Sequence, residues 1–263
     1  MLILQSFSLM IMIASVVSGL VFILLVSLFP HKQRSVKNYD ALLQLNQYKY
    51  NIYEIFSIIP LFFFVGLICY ITYLLGNDVQ NLIFSGRTVD IAIYPPDTFW
   101  LASGLCFGFG LIVPPMELLY RILLGEEYDI YTEYTNRKHG YDGFRVLRPI
   151  CLAFVVVGLA VSVLGLGWYK EITADRILIN DFFSLRPQTY TVSDVRSLTR
   201  YEKSINADGF EKPDLHYKIV FTDGRVWDTS DNFHEVSPEV YGQVIQHILS
   251  RSSLTLQHQE TDR

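Results

Sequence analysis

The chain has 263 residues, 51% of them hydrophobic and 18% charged. That balance is too apolar for an ordinary water-soluble domain, and the apolar residues come in blocks rather than spread along the chain. The net charge of −5 offers no basic surface to nucleic acid, and no nucleic-acid partner is expected.

Four blocks stand out: Leu2 to Phe29, Ile52 to Leu75, Phe99 to Leu124 and Ile150 to Trp168. Each is about 18 residues or more with few charges, enough to cross a hydrocarbon core of about 30 Å as a helix. The bilayer offers backbone groups no partners, so helices are the natural form for such runs. The predicted spans are residues 4–29, 52–75, 99–121 and 150–168, within a membrane region of residues 1–168. The first block lacks a positive leader, and Phe29, Pro30 and His31 follow where a small-residue cleavage site would stand. It reads as a retained helix and not as a removed signal.

Small residues predict how the helices meet. Ser15 and Gly19 in the first span, Gly104 and Gly108 in the third, and Gly158 and Ser162 in the fourth are each four apart, on one helix face. Such faces let backbones approach closely, within one chain or between copies, so self-association is one expectation. Tyr48, Tyr50, Tyr53, Tyr70 and Tyr73 flank the second span, Trp100 opens the third, and Trp168 closes the fourth. These amphipathic rings are expected at the interface. Cys69, Cys106 and Cys151 fall inside spans without metal-ligand spacing and read as packing residues.

Between spans one and two lie Lys32, Arg34, Lys37 and Lys49, and between three and four Arg121, Arg137, Lys138, Arg145 and Arg148. Between two and three there is only Arg87, a ratio of nine to one. The positive-inside rule therefore puts the first and third loops in the cytoplasm and both termini outside.

The stretch "VPPMELLYR" ends the third span. Glu117 and Arg121 are four apart and can pair on a helix, near or beyond the interface. The prolines remove backbone donors and are expected to kink the last turns. The rival reading makes this an intramembrane site on a transport path. The third loop, "GEEYDIYTEYTNRKHGYDGFRVLR", carries Tyr128, Tyr131, Tyr134 and Tyr141. They are read as resting on headgroups, with a cytoplasmic docking surface as the alternative.

After Trp168 the pattern changes to short period-two runs broken by Asp, Asn and Pro. Ile177 with Ile179, and Tyr190 with Val192, share faces as strand residues do. In "HYKIVFTDGRVW", Tyr217, Ile219 and Phe221 alternate before an Asp-Gly turn, the mark of a hairpin. Ser237 and Pro238 then open a helix with Val240, Val244, Ile245 and Ile248 on one face. Residues 252–263 read as a polar, frayed tail.

The run "YKEITADRILINDFFSLRPQTYTVSDVRSL" resembles bacterial pleckstrin-homology-like (PH-like) domains attached to membrane helices, over about a third of the chain. The resemblance implies a small antiparallel β domain over residues 169–251 closed by a C-terminal helix, and a bacterial cytoplasmic membrane. It implies binding rather than a particular ligand, since a fold is not a site. Residues 169–263 hold eleven Lys/Arg against fifteen Asp/Glu, which disfavours a phosphoinositide-type pocket.

No nucleophile motif, phosphate loop or metal-ligand spacing occurs, so no catalytic residue, cofactor or metal is expected. His234, Glu235 and Asp231 read as a solvated loop. The expectation is therefore a four-helix membrane bundle with a PH-like β domain, an anchor or scaffold for a protein partner. Phe182, Phe183, Arg186 and Trp227 are its candidate contact residues. The alternative is a transporter or channel component using the kinked third helix, with Glu117 and Arg121 on the path.

Overall fold

The computed structural model describes residues 19–30, 39–184, 186–205, 210–230 and 236–262. The chain forms two compact units. A helical unit takes the described residues up to Val79 together with Trp100–Ser162. A β unit takes Gln80–Phe99 and the chain from Val163 onward.

The helices are α1 (Gly19–Leu28), α2 (Tyr39–Phe56), α3 (Ile58–Phe84), α4 (Phe99–Gly110), α5 (Val113–Leu124), α6 (Tyr128–His139) and α7 (Gly143–Leu166). Pro60 has no N–H to give the Phe56 carbonyl, so one bond is missing where α2 meets α3, while the bonds from Ser57 to Tyr53 and from Leu61 to Ser57 carry the helix through. Pro114 and Pro115 do the same after Gly110, and they fit the first turn of α5, where donors are unpaired anyway. The α6 helix ends at Gly140, whose φ of 79° is the left-handed cap glycine adopts freely.

Two described stretches are long and apolar enough to cross a membrane, Asn46–Phe84 and Gly143–Leu166. Phe99–Gly110 with Val113–His139 is a third if the 47° bend between them is a break inside one span. The structure thus shows two or three candidate spans where the sequence suggested four. Most of the first, with Ser15, lies outside the described residues, leaving the short apolar helix Gly19–Leu28. The 39 residues of Asn46–Phe84 extend about 58 Å at about 1.5 Å each, so part of this helix lies beyond any bilayer it crosses. On α3, Ile58, Ile59, Phe62 and Phe63 are more than half exposed, as are Leu152 and Val156 on α7. Apolar surface left outward on this scale is what lipid would cover.

Inside the helical unit the small residues pack as the spacing predicts. A Cβ on Gly104 would meet the Cys69 carbonyl at 2.7 Å, and one on Gly108 the Val65 carbonyl at 2.8 Å, so α4 lies directly on α3. Gly158 faces Cys106 and Phe107, and the Ser162 hydroxyl lies 2.6 Å from that of Ser103, joining α7 to α4. These faces are filled within the chain, whereas a Cβ on Gly19 would meet nothing within 4 Å. Trp100 is buried against Gly76, and Tyr50 is buried too, so neither is the interfacial ring the sequence suggested.

The third-loop tyrosines also find different surroundings. Tyr131 and Tyr134 pack with Tyr50 of α2 in one cluster, with Tyr53, Tyr120 and Tyr128 against it. Lys49 bonds Glu127 at 2.8 Å, the Tyr134 hydroxyl bonds Asn51, and Glu54 accepts from Lys138 at 2.6 Å. The first and third loops are therefore one packed layer of helices and not two free surfaces.

The β unit contains β1 (Ile91–Ile93), β2 (Tyr169–Ile172), β3 (Ile177–Asn180), β4 (Gln188–Tyr190), β5 (Val195–Ile205), β6 (Glu211–Phe221), β7 (Val226–Asp228), α8 (Pro238–Ser250) and β8 (Leu256–Asp262). One sheet runs β1-β2-β3-β4, all antiparallel, and the other β7-β6-β5-β8. The alternating residues read from the sequence do line the core: Ile177, Ile179, Tyr190, Tyr217, Ile219 and Phe221 are buried with Val244, Ile245 and Ile248 of α8. Gly224, at φ 88°, turns the β6–β7 hairpin where the Asp-Gly pair predicted it.

Two elements depart from the sequence reading. The segment between the second and third predicted spans supplies β1, which pairs Ile91 with Ile172 and Ile93 with Lys170. The predicted frayed tail is ordered instead: β8 pairs in parallel with β5, from Leu198↔Leu256 to Ser204↔Asp262. A lone polar strand has no periodic apolar face to announce it, and ion pairs across the sheet do the holding.

Candidate functional site

At one end of the β core the two sheets part around a pocket of about 330 Å³. β2 brings Lys170, the loop after β3 brings Asp181, Phe182 and Phe183, and β7 brings Val226 and Trp227. Strand parity explains Lys170. It shares a face with Ile172 and pairs with Ile179, so its side chain points toward the core. It is 4% exposed, and its ammonium lies 4.9 Å from the Trp227 ring centroid, a cation–π contact in a low-dielectric setting. Its neighbour Glu171 faces the other way, where Arg87 bonds it at 2.8 Å and the Tyr94 hydroxyl at 3.2 Å. Burial, and then the Glu171 carboxylate, push the Tyr94 hydroxyl up to about 12.

The pocket's rim is aromatic. Phe99, Trp168, Phe182 and Phe183 form a chain of edge-to-face rings with centroids 4.9 to 6.0 Å apart. Phe183, at its end, is 85% exposed. On the other wall Arg225 pairs with Asp181, while its Nη1 and the indole Nε1 of Trp227 are buried with no hydrogen-bond partner. Such unused donors carry a cost in a folded protein, and a site that expects a ligand is one reason for them. The lining offers apolar walls, cations and N–H donors.

Of the four residues the sequence nominated, Phe182, Phe183 and Trp227 converge on this pocket, and Trp227 is a buried wall rather than an exposed anchor. Arg186 is exposed in the same loop, outside the lining, where its carbonyl accepts from the Ser184 hydroxyl at 2.8 Å. Lys170 and Arg225 were missed, although the parity of Lys170 with Ile172 was there to read.

The helical unit holds a second cavity, of about 230 Å³, at the break between α4 and α5. Glu54, Ser57, Ile112, Met116, Tyr131 and Asn136 are among its lining residues. Glu117 and Arg121 are not: they form a partly exposed pair at 2.9 Å, with Arg148 3.7 Å from the same carboxylate. Glu54 is tied down by Lys138 and by His139, whose Nε2 is 2.7 Å away.

His216, Asp228 and Asp262 bring ligand-type atoms within 4.8 Å of one another. Between them lies Lys218, whose Nζ is 2.6 Å from Asp262 and 3.5 Å from Asp228, so an ammonium already supplies the cation. Burial alone would raise the Asp262 carboxyl, but the bonds from Lys218 and His216 outweigh it and hold it below its ordinary value. His234, Glu235 and Asp231 lie outside the described residues. Comparison with protein-family models, with curated proteins and with solved structures finds no match.

Proposed function

We propose that this chain is a four-span membrane protein, of bacterial type, whose β unit is a PH-like, non-catalytic binding module for a protein partner. The observation that carries the reading is the pocket: an exposed phenylalanine and an aromatic chain stand beside unused N–H donors on a rigid two-sheet frame. Aromatic anchors in a preformed concavity with a few polar groups are what protein hot spots use. The strand order closed by α8 supports the PH-like assignment, and β1 and β8 are additions to it. Orientation follows the nine-to-one cation count, with the β unit outside and the first and third loops in the cytoplasm.

The test is photo-crosslinking in intact membranes. A photoreactive residue at Phe183 yields a discrete protein adduct that the same probe at Glu202 does not. Adducts with lipid alone, or identical bands from both positions, would overturn the reading.

The transport reading has one observation in its favour, the cavity at the α4–α5 break, since broken helices line many transport sites. On that reading Glu54, and not the Glu117–Arg121 pair, is the functional residue. It requires proton flux in reconstituted vesicles that Glu54→Gln abolishes and Glu117→Gln leaves intact.

A further inference from the structure

We infer that the β5 edge covered by β8 is a docking groove for an extended acidic segment of a partner protein, and that β8 is its displaceable resident. A sheet edge offers unpaired N–H and C=O groups to any extended chain, and adding a strand there is a general mode of peptide recognition. Here the edge from Leu198 to Ser204 is covered by the chain itself.

The hold of β8 is mostly polar. Leu256 packs against the margin of the core, while Gln257, His258, Gln259 and Glu260 are exposed. Two carboxylates at positions two apart, and so on one face of the strand, make the specific bonds. Glu260 accepts from Lys203 at 2.7 Å, and Asp262 accepts from Lys218 at 2.6 Å and from His216 Nε2 at 3.2 Å. His216 is 2% exposed, and its Nδ1 lies 2.8 Å from the Asp214 carbonyl. The ring also stacks on Tyr201, and Lys218 lies over that same ring. The other charges facing this strip include Glu211, 3.1 Å from Lys203, Asp228, 3.5 Å from Lys218, and Asp214, whose carboxylate is 3.9 Å from His216 Nδ1.

Lys203 and Lys218, with His216 beside them, therefore form a basic strip in a region that is net acidic, eleven Lys/Arg against fifteen Asp/Glu. The strip recognises carboxylates at alternate positions on a strand, with an apolar residue four positions before the first of them. Any segment with that pattern competes with β8 for the same bonds. The Lys203–Glu260 pair is exposed and screened, while the Lys218–Asp262 pair is mostly buried, so the local opening that frees the edge turns on the Asp262 bonds. This strip shares only Asp228 with the aromatic pocket, and the carboxylate positions of β8 lie outside it, so the two readings fail separately.

The experiment measures binding of a fluorescent LQHQETD peptide, and of its neutral form LQHQQTN, to the full chain in detergent. In a latch variant, Glu260→Gln with Asp262→Asn, the resident strand loses its carboxylates and the basic strip stays intact. The acidic peptide is expected to bind the latch variant about 10-fold or more tighter than it binds the wild type, and the neutral peptide about 10-fold more weakly than the acidic one. Adding Lys218→Met removes the gain. Equal binding to wild type and latch variant, or equal binding of the two peptides, overturns the inference. Hydrogen exchange on the unaltered chain gives a check that needs no variant. The β8 amides exchange as one group and about 10-fold or more faster than those of β6, and exchange as slow as β6 overturns it.

Discussion

At the residue scale, the buried charges of β2 make the sharpest claims. Glu171 is 4% exposed, and Arg87 is its cation. Arg87→Met leaves an uncompensated buried carboxylate, which costs about 3–5 kcal/mol in a fully buried pair. The loss here falls at the lower end, because the Arg87 side chain is 34% exposed and water reaches the pair. Glu171→Gln added to Arg87→Met recovers part of that loss, and thermal unfolding in detergent measures both. Gly108 makes a second claim. A methyl there meets the Val65 carbonyl at 2.8 Å, so Gly108→Ala destabilises the helical unit by about 1–3 kcal/mol. Gly19→Ala, with nothing within 4 Å, stays within about 0.5 kcal/mol. The small-residue spacing of both was legible in the sequence. Which of the two is packed was not, because spacing marks a helix face and not its neighbour.

At the element scale, periodicity decided what could be foreseen. The α8 helix, with Ser237 and Pro238 at its start and a clean apolar face, and the β6–β7 hairpin, with its Asp-Gly turn, were readable because the local signals agree. The β1 strand spans only Ile91–Ile93, and β8 has no apolar alternation, so neither offers a local signal; their partners are distant in sequence. The prolines gave away the α4–α5 break but not the cavity beside it. The docking of β8 carries a pH signature. The Asp262 carboxyl is held below its ordinary value in the folded protein, so its contribution is complete above the unfolded value of about 3.9 and is lost as pH falls through the folded one. Hydrogen exchange should show β8 protection falling below about pH 4, by on the order of 1 kcal/mol, as Asp262 takes up its proton. Asp262→Asn should show the low-pH level of protection throughout.

At the scale of the whole molecule, the notable fact is that, among the described residues, the β unit is assembled from two separated pieces of chain, Gln80–Phe99 and the part from Val163. The piece between the second and third predicted spans supplies β1 and the Arg87 that neutralises Glu171. Both pieces must therefore reach the same side of the membrane, which an even number of intervening spans provides. The sequence told of apolar blocks, a β region and a closing helix, because those are set by composition and local period. It was silent on this assembly, and on the pocket it leaves open, because both arise from pairings between residues far apart.

The most direct measurement is cysteine accessibility in intact cells with a membrane-impermeant maleimide. The three native cysteines are replaced by alanine, and single cysteines are placed at exposed Thr98, Ser253, Tyr48 and Arg145. Thr98→Cys and Ser253→Cys are expected to label together from outside, while Tyr48→Cys and Arg145→Cys label only after the membrane is opened. Labelling of Thr98→Cys and Ser253→Cys from opposite sides would contradict it, because β1 could not then pair with β2.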